Sequence, residues 1–228
     1  MADSPAIAAE HAVAEQALRH HFANMEQQRE SSTLGMWLFL VTEIMFFGGL
    51  FAAYMIYRHL YPGAWATGSE HMSFWLGTLN TTILLCSSLL VALSVHAVQE
   101  GESKKTAWLL LFTILMGAAF LGIKAVEYHA HYVEGAVPGR WWHLHDVPDP
   151  AHVQMFFILY FVMTGLHALH VTIGLVLLGV IAYKANKLAY TPEYHNPVEV
   201  SGLYWHFVDL VWIFLYPMLY LVARTHTG

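Results

Sequence analysis

The chain has 228 residues, of which 57% are apolar and 11% are charged. Soluble domains carry about 25% charged residues, so this composition argues against a water-soluble protein. The ten lysines and arginines are scattered along the chain, which leaves no basic face for nucleic acid. The single cysteine, Cys86, excludes an intrachain disulfide, a Cys-X-X-Cys-His haem attachment site and a multi-thiolate metal centre. Because Cys86 lies in an apolar run, we expect it to be a small buried residue.

The first 30 residues differ from the rest in being polar and acidic. They have no apolar central region and therefore do not resemble a signal peptide. Leu18, Phe22 and Met25 follow an i, i+4, i+7 spacing, and two interpretations stay open: a short amphipathic helix on the membrane or a neighbouring subunit, and a mobile tail. We therefore divide the chain into an N-terminal cytoplasmic segment, residues 1–30, and a membrane domain, residues 31–228.

Five apolar segments are long enough to cross a bilayer, which takes about 20 helical residues. The Ser31-Ser32-Thr33 run before the first segment has the composition of a helix N-cap, and Pro217 is placed to kink the last. The sequence thus predicts an all-α polytopic membrane helix bundle with five transmembrane helices. Their approximate bounds are Leu34 to Tyr57, Met72 to Val98, Thr106 to Tyr128, Val153 to Tyr183 and Gly202 to Val222.

The connecting segments indicate orientation and packing. With the N-terminus in the cytoplasm, six of the ten lysines and arginines fall on the cytoplasmic side, which favours a periplasmic C-terminus. The longest connection, Val133 to Pro150, contains Trp141 and Trp142, which we expect to be exposed, either as a partner contact or as a headgroup anchor. Three pairs of small residues four apart indicate close helix packing: Gly48 and Ala52, Gly49 and Ala53, and Ala118 and Gly122.

Glu43 stands out because it lies within the first apolar segment. A carboxylate near the bilayer centre costs roughly 2.5–3.5 kcal/mol on insertion scales, so its presence calls for a reason. One interpretation is a group on a proton or lipid path. The other is a neutral carboxylic acid that is hydrogen-bonded to a neighbouring helix.

Three pairs of polar residues recur at i, i+3 spacing, which puts both members on one helix face. Together they predict a polar network between helices that stabilises the bundle. The pairs are Lys124 and Glu127, His167 and His170, and His206 and Asp209. Haem ligation by these histidines is the less favoured alternative, because bulky aromatic residues surround them and the spacing specifies no metal.

Several stretches resemble subunit III of the haem–copper oxygen reductases, above all the cytochrome c oxidase type. The similarity covers about residues 31–222, and the last stretch is the most specific. The stretches are TEIMFFGG (Thr42 to Gly49), NTTILLCSS (Asn80 to Ser88), KAVEY (Lys124 to Tyr128), GLHALHVTIG (Gly165 to Gly174) and YWHFVDLVWIFLYP (Tyr204 to Pro217). The long form of this family has seven helices, and this chain has no counterpart of the first two.

The resemblance implies a subunit without redox centres, which packs on subunit I and sustains proton uptake and turnover stability in aerobic respiration. Subunit I of the family carries the haems and the copper of the oxygen-reducing site, and subunit II carries the copper that accepts electrons. Glu43 corresponds to the family's buried carboxylate, which reacts with carbodiimides, and His167 and His170 match its GxHxLH pattern. In the long form, lipids fill a cleft beside the two missing helices, so bound phospholipid stays an open expectation here. The five-helix length resembles that of bacterial forms, which implies a plasma (inner) membrane location.

Other interpretations stay open at this stage. The partner complex is a cytochrome c oxidase, a quinol oxidase or, for an accessory subunit, a nitric oxide reductase, since donor specificity lies in other subunits. A haem-bearing cytochrome b is a further alternative. A transporter or channel is disfavoured because the chain shows neither inverted repeats nor interrupted helices.

Overall fold

The computed structural model of the chain describes residues 18, 20 and 22–222. These residues form six helices and one isolated bridge between Ala136 and Trp142, with no β-strand among them. The helices are α1 (Met25–Leu60), α2 (Pro62–Glu70), α3 (Phe74–Gln99), α4 (Ser103–Val133), α5 (Pro150–Asn186) and α6 (Asn196–Tyr220).

Five of the described helices, all except α2, are long and apolar enough to cross a membrane. The prediction of an all-α polytopic membrane protein with five spans is therefore confirmed. The five spans lie where the apolar segments predict them, although most of the helices extend a few residues beyond the predicted ends. Hydropathy locates the apolar centre of a helix, whereas the helix itself continues into polar residues on either side.

The start of α1 corrects one prediction. Ser31, Ser32 and Thr33 lie inside α1 rather than at its N-cap, since the helix begins at Met25. The Ser32 hydroxyl donates to the Gln28 carbonyl at 2.9 Å, the local bond by which serine is accommodated within a helix. The predicted boundary between residues 30 and 31 also falls inside α1. Phe22 lies three residues before the first residue of α1, Met25. The remainder of the N-terminal segment, residues 1–17, 19 and 21, lies outside the described residues.

The described chain divides into two compact units, and each long helix contributes a segment to both. The first unit comprises the chain up to Thr42, Cys86–Gly117 and Thr172–Phe207. Trp205 lies fully buried in this unit, and its indole N–H donates to the Ser87 hydroxyl at 3.1 Å. Cβ atoms added at Gly117 and Gly174 would lie 2.8 and 2.9 Å from the Trp205 ring. The two glycines therefore leave the space that the indole fills.

The connection between α5 and α6 also belongs to the first unit. The Ser103 hydroxyl donates to the Tyr190 carbonyl at 2.6 Å and ties this connection to the start of α4. Burial raises the pKa of the Tyr190 phenol above its ordinary value of 10.0.

The second unit comprises Glu43–Leu85, Ala118–Val171 and the chain from Val208 onward. It contains α2, which the apolar pattern did not predict because the helix has only nine residues. Pro62 lies in the first turn of α2, where a missing N–H costs nothing. The Ser69 hydroxyl of α2 donates to the Leu219 carbonyl at 2.9 Å, and Gly68 allows the Phe156 ring to approach the backbone.

The loop after α4 differs from its predicted form. Trp141 is exposed, but Trp142 is only 8% exposed and packs against Phe157 with ring centroids 5.8 Å apart. The His143 N–H donates to the Gly135 carbonyl at 2.8 Å and folds the loop back on itself. The expectation of two exposed tryptophans is therefore wrong for Trp142, since the turn at Gly135 directs one indole inward.

Two further expectations from the sequence are wrong. Cys86 is exposed rather than buried, because an apolar residue of a membrane helix can face lipid as well as the protein interior. Gly48, Gly49 and Gly122 have no heavy atom within 4 Å of an added Cβ, so they do not mediate close packing within the described chain.

Candidate functional site

The first cluster of interest is the pair formed by Glu43 of α1 and His170 of α5, in the second unit. Glu43 Oε2 lies 3.1 Å from His170 Nε2, and the two side chains are 19% and 13% exposed. The imidazole also meets the Phe47 ring edge to face, with centroids 5.3 Å apart. The pair is thus a nearly buried acid–base contact in the apolar part of two spanning helices.

The hydrogen-bond partner of His170 Nδ1 shows how many protons the Glu43–His170 pair holds. His170 Nδ1 lies 2.8 Å from the Leu166 carbonyl oxygen, which can only accept a hydrogen bond, so Nδ1 carries a hydrogen. The Nε2–Oε2 contact then shares one further proton. That proton lies either on the Glu43 carboxyl, next to a neutral imidazole, or on Nε2, next to a carboxylate. Both forms are neutral overall, which suits an apolar surrounding.

The second cluster surrounds Lys124 and Glu127 on α4. The Lys124 ammonium donates to the hydroxyls of Tyr160 and Tyr220 at 3.0 and 2.8 Å. It also lies 3.2 Å from Glu127 Oε2. Both tyrosyl hydroxyls in turn donate to Glu127 Oε1, that of Tyr160 at 2.7 Å. We call these four residues the Lys124 cluster.

The Lys124 cluster satisfies a buried charge almost completely. An ammonium has three donor hydrogens, and Lys124 donates to Tyr160 and Tyr220. Its third neighbour is Glu127 Oε2, which forms an ion pair with it but has no hydrogen-bond partner among the described residues. Lys124 Nζ also lies 5.3 Å from the centroid of the Trp212 ring, within the range of a cation–π contact. Side chains from α4, α5 and α6 meet here, so the cluster connects three helices through charge-assisted hydrogen bonds.

His131 extends this cluster towards the end of α4. Its Nε2 lies 3.9 Å from Glu127 Oε1, and its Nδ1 lies 3.4 Å from Glu134 Oε2. Glu134 follows the last residue of α4, and its side chain is about half exposed, at 49%. Titratable groups therefore continue from buried Lys124 to a carboxylate that is open to the surroundings.

His167 and Asp209 are also buried in the second unit. The His167 ring lies between Phe120 and Trp212, with centroids at 5.5 and 5.2 Å. Within the described part of the chain, neither His167 nitrogen has a hydrogen-bond partner. Asp209 is 3% exposed. The structure thus separates the environments of His167 and His170, which the i, i+3 spacing places on one helix face.

His206 lies in the first unit. Its Nδ1 is 2.6 Å from the Ser88 hydroxyl, and this hydrogen bond links α6 to α3. A serine hydroxyl both donates and accepts, so this contact is satisfied in either tautomer of the imidazole.

Sequence reasoning missed several members of these clusters. His131 follows Glu127 by four residues, and Tyr128, whose ring centroid lies 5.5 Å from Lys124 Nζ, follows Lys124 by four. Helical periodicity alone was therefore enough to find them. Tyr160 and Tyr220 lie on other helices, and no local pattern signals their role. Asn80 was also missed: it is fully buried, and neither side-chain polar atom has a hydrogen-bond partner among the described residues.

His170 and His206 have few ring nitrogens left to bind a metal ion. Both ring nitrogens of His170 are engaged, by Glu43 and by the Leu166 carbonyl, and Nδ1 of His206 is engaged by Ser88. Across residues 18, 20 and 22–222, no three His, Cys, Asp or Glu side chains come together in a way that could hold a metal ion.

The fold and these clusters define a class: a polytopic helical membrane protein with buried, mutually compensated ionisable groups. The family model for cytochrome c oxidase subunit III matches residues 10–224. The chain belongs to this family and is a subunit III of the haem–copper oxidases, a kind of subunit that has no redox cofactor of its own.

Relatives with two different electron donors are similar to the chain. Cytochrome c oxidase subunit 3 of Thermostichus vulcanus is 33% identical over 84% of this chain and 87% of its own length. Quinol oxidase subunit 3 of Bacillus spizizenii is 34% identical over 88% of this chain and 93% of its own length. Cytochrome c oxidase subunit 3 of Cyprinus carpio is 35% identical over 82% of this chain but only 67% of its own length. The family membership predicted from the residues is confirmed.

Proposed function

We propose that this chain packs directly on subunit I of its oxidase and sustains proton uptake and turnover stability there. Subunit I carries the haems and the copper of the oxygen-reducing site in this proposal, and subunit II is the further partner. The chain itself contributes no redox step. Its contribution comes from ionisable groups that hold protons in an apolar environment.

The Glu43–His170 pair is the observation that carries this proposal. It holds one shareable proton, and it remains 13–19% exposed although it lies in the apolar part of α1 and α5. A proton in this hydrogen-bonded contact can move between carboxyl and imidazole with no change in net charge. Partial exposure leaves the pair accessible to a neighbouring subunit or to lipid. These properties support a role in proton exchange.

The Lys124 cluster supports a different part of the proposal. Its charges are compensated within the chain, with Lys124 and Glu127 at most 5% exposed. A cluster whose charges are paired with each other and shielded from the surroundings stabilises helix packing. We assign turnover stability partly to this cluster. We assign the same stabilising role, as polar groups between helices, to His167, His206 and Asp209.

The proposed location is the bacterial plasma (inner) membrane, with a cytoplasmic N-terminus and a periplasmic C-terminus. The supporting observation is the excess of Lys and Arg in the connections on the N-terminal side. Residues 1–30 then form the cytoplasmic segment and residues 31–228 the membrane domain. Bound phospholipid belongs to the same proposal.

Replacement of Glu43 by Gln in the assembled oxidase tests the proton role. We expect Glu43→Gln to reduce the number of turnovers before inactivation and to abolish carbodiimide labelling of this position. The haem spectrum should stay unchanged. Glu70→Gln, which removes an exposed carboxylate at the end of α2, is the matched control and should leave both readouts at the wild-type level. Loss of haem from the Glu43→Gln complex would contradict the proposal.

The electron donor is tested separately, since relatives with either donor match about equally well. A dinuclear copper signal in the purified complex would indicate cytochrome c as donor, and its absence would indicate quinol. The haem-bearing alternative predicts a Soret band for the isolated chain, whereas we expect none.

A further inference from the structure

A groove lies within the first unit between the beginning of α4 and the end of α5. It has a volume of about 390 Å³, and its walls are mostly apolar. The residues that matter for its shape are Trp108, Leu111, Ile114, Gly179, Ala182 and Tyr183. An added Cβ at Gly179 would meet no heavy atom within 4 Å, so the floor is open at that position. The lining of α5 spans two helical turns, about 10 Å.

Two lysines mark one end of this groove. Lys104 precedes Trp108 by four residues and so lies on the same face of α4. The Lys187 ammonium lies 4.5 Å from the centroid of the Tyr183 ring. Lys104 also lines a surface hollow together with Glu102, Lys105 and Leu188, and Leu188 is the residue after Lys187.

The charges of these two lysines are not neutralised within the described chain. Neither Lys104 nor Lys187 forms an ion pair with a carboxylate in the part of the chain that the structure describes. The neighbouring Lys105, by contrast, lies 2.7 Å from Glu102. The end of the groove therefore carries two positive charges that are available to an anion.

The groove presents charged, aromatic and apolar residues in the order of the phosphate, interface and acyl chain of a phospholipid. The lysines come first, at the level of a phosphate. The exposed rings of Trp108 and Tyr183 follow, and such rings favour the membrane interface. Leu111, Ile114 and Gly179 lie deeper and offer an apolar channel for an acyl chain. A transmembrane helix of a partner is a poorer match, because it is about 10 Å wide and would bring no anion to the lysines.

We infer that this groove binds an anionic phospholipid, with its phosphate between Lys104 and Lys187 and one acyl chain along Gly179. All the residues of this site come from this chain, and the inference rests on the phospholipid part of the proposed function. Attraction by lysines near a membrane surface favours anionic over zwitterionic lipid.

Native mass spectrometry of the full chain in detergent, titrated with dioleoylphosphatidylglycerol, tests the headgroup contact. We expect Lys104→Gln and Lys187→Gln each to weaken binding about fivefold, and the double variant about 25-fold. Arg140→Gln is the control, because Arg140 is an exposed cation in the loop after α4, at the opposite end of that helix from Lys104. An equal effect of Arg140→Gln, or equal binding of dioleoylphosphatidylcholine, would overturn the inference.

A second variant tests the acyl-chain channel independently of charge. Gly179→Phe should fill the groove and reduce phosphatidylglycerol binding about tenfold, by the loss of apolar contact. Gly122→Phe places the same side chain at an open glycine in the second unit, away from the groove, and should leave binding unchanged. Unaltered size-exclusion profiles establish that both variants fold. Wild-type binding by folded Gly179→Phe would refute the channel.

Discussion

Lys124 Nζ lies 3.2 Å from Glu127 Oε2, and the two side chains are 5% and 3% exposed. They lie one turn apart on α4, and Tyr160 and Tyr220 each form hydrogen bonds to both of them. A buried charge that loses its partner is far more costly than one that never existed. The pair therefore makes specific predictions for the stability of the chain.

Glu127→Gln should destabilise the protein strongly. It leaves the Lys124 charge buried without a counter-charge, which costs about 3–5 kcal/mol in comparable pairs. Denaturant unfolding in detergent micelles measures the loss. The double variant Lys124→Met, Glu127→Leu should lose less than Glu127→Gln, because it removes both charges together. A double variant less stable than Glu127→Gln would contradict this view.

The chain contains a matched control for that pair. Glu102 and Lys105, at the beginning of α4, have the same i, i+3 spacing with the two charges in reverse order, but both side chains are exposed. Glu102→Gln should therefore leave stability nearly unchanged, since solvent and salt screen an exposed pair.

Tyr160→Phe and Tyr220→Phe should each destabilise the protein by about 1.5–3 kcal/mol, the usual loss for a hydrogen bond to a charged group. Each hydroxyl accepts from Lys124 and donates to Glu127, so the double variant should lose a different amount from the sum. Tyr183→Phe, at an exposed ring, is the control and should have little effect on unfolding. Additive losses would indicate two independent contacts rather than one cluster.

His167→Phe should keep or raise stability. The imidazole lies between Phe120 and Trp212, and its nitrogens have no hydrogen-bond partner in the described residues. Removal of a buried, unpaired polar group recovers about 1–3 kcal/mol. The thermal unfolding midpoint is the measurement, and a clear decrease would show that His167 has a partner outside the described contacts.

His170→Phe should increase the rate at which carbodiimide labels Glu43. Without the imidazole, the carboxyl keeps the proton that it otherwise shares with Nε2, and carbodiimides react with protonated carboxyls in apolar surroundings. His167→Phe changes the neighbouring turn of α5 without touching this contact and should label at the wild-type rate. An unchanged rate in His170→Phe would mean that the proton already lies on Glu43 in the wild-type protein.

Gly174→Ala should destabilise the first unit by about 1–3 kcal/mol, the usual cost of overpacking. Its methyl group would lie 2.9 Å from the Trp205 ring. Gly179→Ala on the same helix has open space and should gain stability, by about 0.5–1 kcal/mol, because alanine favours a helix interior. Unfolding of both variants under the same conditions separates packing from helix propensity.

Much of the fold could be predicted from the sequence because the signal is local. Each span is a run of apolar residues, so the number and order of the five long helices follow from composition along the chain. Lys124 and Glu127 were found for the same reason, since helical periodicity alone puts them on one face. The helix ends were not found because polar residues carry no hydropathy signal, and α2 was not found because it has only nine residues.

The partners of the polar residues were decided by the tertiary structure. His170 and Glu43 are 127 residues apart in the chain, and Lys124 and Tyr220 are 96 apart. His167 and His170 share a helix face, yet one packs among aromatic rings and the other bonds to a carboxyl. The sequence by itself determined which side chains enter the membrane. Only the rotation and depth of each helix against its neighbours determined what satisfies them, because the partners of a buried polar group come from other helices.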